Sequence, residues 1–154
     1  MAEVVWEHAY PRGISWRQNF VPRSLTALFD EAAKKYANNV LFDFMGKKTR
    51  YRDIADMVDR AAKGFQKLGV GPGVPVGLFL PNVPHYAIAF FGVLKAGGRV
   101  VNYSPLDADR ELRHKVEDSQ TQIMVTLSLK ALYPKIAPLL GATRLRHIVV
   151  ADLQ

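Results

Sequence analysis

Residues 94–106, "LKAGGRVVNYSPL", decide how this chain is read. A lysine-tipped apolar helix meets two glycines, a short β-branched run follows, and a polar loop closes on proline. Gly97 can take the left-handed backbone that ends a helix, because it carries no Cβ to clash with its neighbours. "RVVN" then reads as a strand and "YSPL" as part of the loop at its carboxyl end. Open α/β sheets place ligands at the carboxyl ends of their strands, although most such loops are plain joints.

Upstream, "HYAIAFFGVLKAGG" is apolar for three turns, which predicts a helix buried on most sides against a sheet. "VGPGVPVGLFLPN" before it holds three glycines, but their spacing fits no phosphate-binding fingerprint, and Pro72 and Pro75 remove backbone donors such a loop needs. It reads as a rigid turn feeding a buried strand over 76–80. Ile54, Met57, Val58, Ala61, Phe65 and Leu68 form a helical stripe that Gly69 stops. "VLFDFMGKKTRY" alternates across Phe42, Phe44 and Tyr51 around Gly46, the pattern of a β-hairpin. Before it, Ser24 caps a helix whose Leu25, Leu28, Phe29, Ala32 and Tyr36 share one face. Residues 1–23 lack periodicity and read as an extended arm packed through Trp6, Tyr10, Trp16 and Phe20.

Downstream, Asp107 or Asp109 opens the helix "RELRHKVEDSQ". The strand "QIMVT", a proline-punctuated helix through Ile136 and Leu139, and the strand "HIVVA" follow. Strands separated by helices predict an α/β fold: a mainly parallel sheet with helices on both faces, preceded by the arm and the hairpin. The expected division is an arm over 1–23 and a partial α/β domain over 24–154, cut from something larger.

Composition narrows the function. At 154 residues, 49% of them apolar, the chain can bury one real core. The apolar run over 86–94 is far short of the roughly 20 residues that span a bilayer. The N-terminus lacks the pattern of a secretory signal, so a cytoplasmic location is expected. Without cysteine there is no disulfide, thiolate metal site or thiol nucleophile. The net charge of +7 invites polyanions, yet the basic residues are interleaved with acids, as in "DRELRHKVED", so no nucleic-acid partner is expected. Ser15, Ser24, Ser104, Ser119 and Ser128 lack a nucleophile elbow. His8, His85, His114 and His147 show no metal-ligand spacing and read as surface or capping residues. The acid pairs Asp30/Glu31 and Glu117/Asp118 read as solvated helix faces.

Against that background, "FFGVLKAGGRVVNYSPLDADREL" resembles the segment "FxAxLKAGAxxVNxNPLYTPREL" of long-chain fatty-acid–CoA ligases, members of the adenylate-forming superfamily. "SLTALFDEAAKKYANNVLFDFMGKKTRYRDI" is similar to that family's opening helix and "xLTYxEL" element. "LGVGPGVPVGLFLPNVPHYAIAFFGVLKAG" is similar to its "LGVxxGDxVxxxLPNxPEFxxAxFGxLKAG", and "LRHIVVADL" to its "LRHVIVTDL". The resemblance runs over about residues 10–153. Two departures touch loops: Pro75 stands where a polar or basic residue is usual, and Ala108 and Asp109 replace a Thr-Pro helix start.

The resemblance implies the first part of the large N-terminal domain of an acyl-CoA ligase. Such an enzyme joins fatty acid and ATP into an acyl-adenylate and pyrophosphate, and coenzyme A then displaces AMP. The parent would use ATP, Mg2+ and coenzyme A. The family's phosphate loop, metal-binding acid, ribose-binding aspartate and catalytic lysine all fall downstream of the matched region. No catalytic or metal-binding residue is therefore assigned, no cofactor is expected on this chain, and the chain alone is expected to be inactive. Only Asn102, Tyr103, Ser104 and Pro105 are candidates for approaching acyl or coenzyme A groups. The alternatives are a free-standing binding module on the same scaffold, or an adenylate-forming ligase for another carboxylic acid. Self-association through an unpaired strand edge, as a homodimer or larger, is also expected.

Overall fold

The computed structural model describes residues 5–15 and 17–153. After a 3-10 turn at Val5–Ala9 come Leu25–Lys35 (α1), the strands Val40–Phe44 (β1) and Lys47–Arg50 (β2), and Tyr51–Lys67 (α2). Pro75–Phe79 (β3), Pro84–Lys95 (α3), Arg99–Tyr103 (β4), Asp109–Asp118 (α4) and Ile123–Leu127 (β5) follow, then Tyr133–Ile136 (α5) and His147–Ala151 (β6). β1 and β2 form an antiparallel hairpin. The other four strands form one parallel sheet in the order β4-β3-β5-β6, so the expected α/β class is the one observed.

Strand burial follows position in the sheet. Every residue of β3 and of β5 is buried, as central parallel strands covered on both faces require. The flanking β4 and β6 are mostly half-buried or exposed. Pro75, the departure noted in the sequence, is the first residue of β3, a position that sheets tolerate for proline. Alternation along β4 separates the faces: Asn102 bonds Tyr86 of α3, whereas Tyr103 bonds Ser119 and Thr121 beyond α4. Thus α3 and α4 cover opposite faces. The chain leaves β3 toward β4 but then returns past β3 to β5, so the order reverses between the carboxyl ends of β3 and β5.

The "LKAGG" joint has a long-range role that its sequence does not display. Lys95 Nζ lies 2.6 Å from Asp30 of α1 and 2.7 Å from Asp59 of α2, and 5.9 Å from the centre of the Phe29 ring. One ammonium thereby ties three helices together. Burial would push Lys95 down, but its hydrogen bonds to the two carboxylates outweigh that and hold it above its ordinary value. Gly97 takes φ +88°, the left-handed helix stop expected there.

Several expectations are corrected. Ser24 Oγ does cap α1, accepting from Ala27 N at 3.1 Å. That helix buries Phe29 and Ala33, however, and leaves Leu25 at 54% and Leu28 at 43% exposure. Tyr51 begins α2 and does not extend the hairpin. In the arm, Trp6 is 53% and Phe20 78% exposed: with no repeating apolar face, these two side chains are not buried. Trp16 and the side chain of His8 lie outside the described residues. The acid pairs are not simply solvated, since Asp30 meets Lys95, Glu31 meets Arg23 and Glu117 meets Arg144.

Candidate functional site

β4 runs one residue beyond its "RVVN" run, and that residue decides which side chains the following loop can offer. Asn102 is exposed, and its Oδ1 accepts from Tyr86 Oη at 2.9 Å. Tyr103 points the other way, is 3% exposed, and shares hydrogen bonds with Ser119 Oγ at 2.9 Å and Thr121 Oγ1 at 2.8 Å. Burial pushes its phenol above the ordinary value. Ser104 is exposed and Pro105 half-buried. The structure therefore presents two polar side chains of the four, Asn102 and Ser104, and commits Tyr103 to the core.

The loop is held from inside. Asp107, 8% exposed, accepts from Ser104 N at 3.0 Å and from Lys115 Nζ at 2.7 Å. Lys135 Nζ donates to the carbonyl oxygens of Pro105 and Asp107, each at 3.2 Å. Asp107 was one of two expected caps for α4; the N-cap is instead Ala108, with no side-chain bond, because the Asp107 carboxylate is spent on the loop. Lys115 holds that carboxyl below its ordinary value, and Asp107 holds Lys115 above its own. Lys115 and Lys135 brace this loop, which carries an exposed amide and hydroxyl, and Glu111 joins Asp107 in facing the Lys115 charge. Such an arrangement can orient a polar group; the amide and hydroxyl lack the titratable base that proton transfer needs.

Other sequence features resolve plainly. In the glycine-rich turn, Gly69 N and Val70 N donate to carbonyls of α2 and Val74 N to Gly71 O, so those donors serve the turn itself. Among the described residues no group of three or more His, Asp or Glu side chains could hold a metal ion. Neither feature fits ATP phosphates or Mg2+.

Sequence reasoning missed a second place. At the carboxyl end of the sheet, a cleft of about 260 Å³ lies between the hairpin, the first turns of α2 and α3, and Asp152 beyond β6. His85, at the start of α3, has its Nδ1 buried there without a hydrogen-bond partner. A lone histidine with no ligand spacing carries no signal in sequence; the unmatched atom is visible only once the hairpin is folded over it.

Comparison with known proteins fits this architecture. The family described as "AMP-binding enzyme" matches residues 29–153. A long-chain-fatty-acid–CoA ligase of Yersinia pestis is 34% identical over 155 residues, covering 98% of this chain and 27% of the relative. The corresponding ligase of Bacillus subtilis (strain 168) is 29% identical over 149 residues, covering 97% and 26%. The chain thus spans about a quarter of the length of these relatives. Among solved structures, a long-chain-fatty-acid-CoA ligase from Archaeoglobus fulgidus superposes with a TM-score of 0.78 at 23% identity, over 90% of this chain and 29% of that one. A fatty acyl CoA synthetase of Mycobacterium tuberculosis gives 0.75 at 17%, over 82% and 26%. Both likenesses speak to the fold. With the family match running from α1 past the last strand, the chain belongs to the AMP-binding enzymes.

Proposed function

We propose that this chain is a scaffold portion of an ATP-dependent long-chain fatty-acid–CoA ligase and is inactive alone. One observation carries the reading: 97–98% of the chain aligns with ligases of that description from Bacillus subtilis, Salmonella typhimurium and Yersinia pestis. In the parent, fatty acid and ATP would give an acyl-adenylate and pyrophosphate, and coenzyme A would then take the acyl group with release of AMP. ATP supplies the adenylyl group, with pyrophosphate leaving, and coenzyme A the thiol; the parts that position them, and Mg2+, belong to the rest of the parent.

The contribution assigned to the residues in hand is orientation. Asn102 and Ser104 offer an amide and a hydroxyl on a loop locked by Asp107 and Lys135. Lys115 and Lys135 brace the loop through Asp107 and the carbonyls of Pro105 and Asp107, which fixes where that amide and hydroxyl stand. An acyl or coenzyme A group is the ligand proposed for this loop. A cytoplasmic setting accords with these substrates, and no helix among the described residues is long and apolar enough to cross a membrane.

Two measurements test the reading. Reading the coding sequence past the Gln154 codon should show a frame continuing into a Ser/Thr/Gly/Lys-rich loop and a later lysine-bearing domain; an immediate stop codon would defeat the assignment to a ligase parent. The pure chain, given ATP, Mg2+ and palmitate, should release no pyrophosphate, and ATP-dependent release would show that the chain is not merely scaffold.

A further inference from the structure

Asn102 reaches solvent from a fixed backbone, because it pairs with Leu78 in the parallel register of β3 and β4. Only its side-chain torsions are left to choose which end of the amide faces outward. Tyr86 makes that choice. Its Oη donates to Asn102 Oδ1 at 2.9 Å, and Asn102 Nδ2 keeps no partner among the described residues. The oxygen and the NH2 of a carboxamide sit on opposite branches of one planar group, so an oxygen held by α3 sends the two N–H donors the other way. The next exposed polar side chain repeats the pattern: Ser104 Oγ accepts from Leu106 N at 3.1 Å, which leaves the hydroxyl proton free to donate. Both side-chain oxygens are thus engaged from within, and the groups left for solvent are donors.

What holds Tyr86 is aromatic. One turn along α3, Phe90 stacks on its ring with centroids 6.1 Å and planes 19° apart. Phe90 meets Phe91 edge-on at 5.3 Å, and Phe91 stacks at 4.3 Å on Phe29 of α1. Four rings therefore run from the β4 loop to the helix that Lys95 ties down. Stacking fixes the Tyr86 ring, and the phenol hydroxyl at its tip is aimed with it. We propose that Tyr86 is a positioning residue that sets the hydrogen-bond polarity of the β4 loop: it turns the Asn102 amide so that the loop meets a ligand with N–H and O–H donors. Tyr86 acts through Asn102, not by a contact of its own. The bearing on an acyl or coenzyme A group rests on the function proposed above, but the readouts that follow involve no ligand, so a failed ligase assignment and a failed positioning role give different results.

The test is NMR on the ligand-free chain with labelled side-chain amides. In the unaltered chain the Asn102 Nδ2 protons should show no strong nuclear Overhauser contact with the Tyr86 ring protons beside the hydroxyl, because Oδ1 stands between them. Tyr86→Phe removes only the hydroxyl, so the backbone signals of β3 and β5 should stay in place. The order parameter of Asn102 Nδ2 should nevertheless fall, from about 0.85 to below about 0.6, while the side-chain amides of Gln66 and Asn38 keep theirs. A merely structural role would move stability and those distant amides together; a positioning role moves Asn102 alone. Strong contacts between the Asn102 Nδ2 protons and the Tyr86 ring would mean that the amide is reversed. An unchanged order parameter in Tyr86→Phe would mean that Asn102 is held without Tyr86, and an equal fall at Gln66 and Asn38 would mean that the whole fold has loosened. Each of these three results overturns the proposal.

Discussion

Asp107 Oδ2 lies 2.7 Å from Lys115 Nζ, and the same oxygen accepts the backbone N–H of Ser104 at 3.0 Å. A single carboxylate thus joins the end of β4 to α4. Hydrogen bonding from Lys115 holds Asp107 below its ordinary value of 3.8. A carboxyl that is more acidic folded than unfolded stabilises the fold fully above its unfolded value, and that contribution is lost as pH falls through the folded value. Asp107→Asn should therefore cost about 1–3 kcal/mol at pH near 6, and the cost should shrink at pH near 3. Urea denaturation of both proteins at the two pH values checks this. A cost unchanged by acid would show that Asp107 acts by shape alone.

The partner titrates in the opposite sense. Asp107 holds Lys115 above 10.5, so its contribution is complete below that value and fades only as pH rises through the higher folded one. Lys115→Met should accordingly be destabilising by a constant amount from pH 6 to 9. A pH dependence within that window, read from thermal unfolding, would mean that another group responds.

Much of this was legible in the sequence, for reasons that differ by element. The order of helices and strands follows from periodicities of 3.6 and 2 that are local, and Gly97 and Ser24 announce their roles because only a few residue types perform them. What failed was long-range. Nothing near Asp107 says that Lys115 and Ser104 will both bond its carboxylate, so its sequence context suggests a cap. Nothing near Lys95 points to Asp30, 65 positions away by residue number. At the candidate site the decisive quantity was one residue of strand length: ending β4 at Asn102 leaves Tyr103 free to point outward, whereas ending it at Tyr103 turns the ring into the core. Leu25 and Leu28 illustrate the same limit, because periodicity finds an apolar face but cannot say which part of it meets a neighbour.

Gly92 shows how closely α2 and α3 approach. A Cβ placed there would stand 2.9 Å from the Cβ of Ala61 and 3.4 Å from the Ala62 nitrogen, both fixed to the helix backbone. Carbon atoms pack best at about 3.5–4.0 Å, so the helices would have to separate. On an exposed helix, Gly→Ala gains about 1 kcal/mol. Here Gly92→Ala should instead lose about 1–3 kcal/mol, as overpacked cores do. Adding Ala61→Gly should return part of that loss, since it removes the opposing methyl. The double-mutant cycle is the measurement, and a stabilised Gly92→Ala protein would mean that the two helices are not in contact in solution.

β4 and β6 flank the parallel sheet and pair on one side only among the described residues. An outer strand edge without a paired neighbour is a template for a strand from another molecule, and Val150 of β6 is 44% exposed. The protein should therefore associate into dimers or larger species as concentration rises, by light scattering. Val150→Lys should shift the population toward monomer, because a charged side chain on an edge strand penalises strand addition. The exposed Leu25 and Leu28 of α1 offer a different route, and Leu25→Glu with Leu28→Glu separates the two. A monomer at every concentration would contradict association altogether; dissociation by the α1 changes but not by Val150→Lys would move the contact from the sheet edge to the helix.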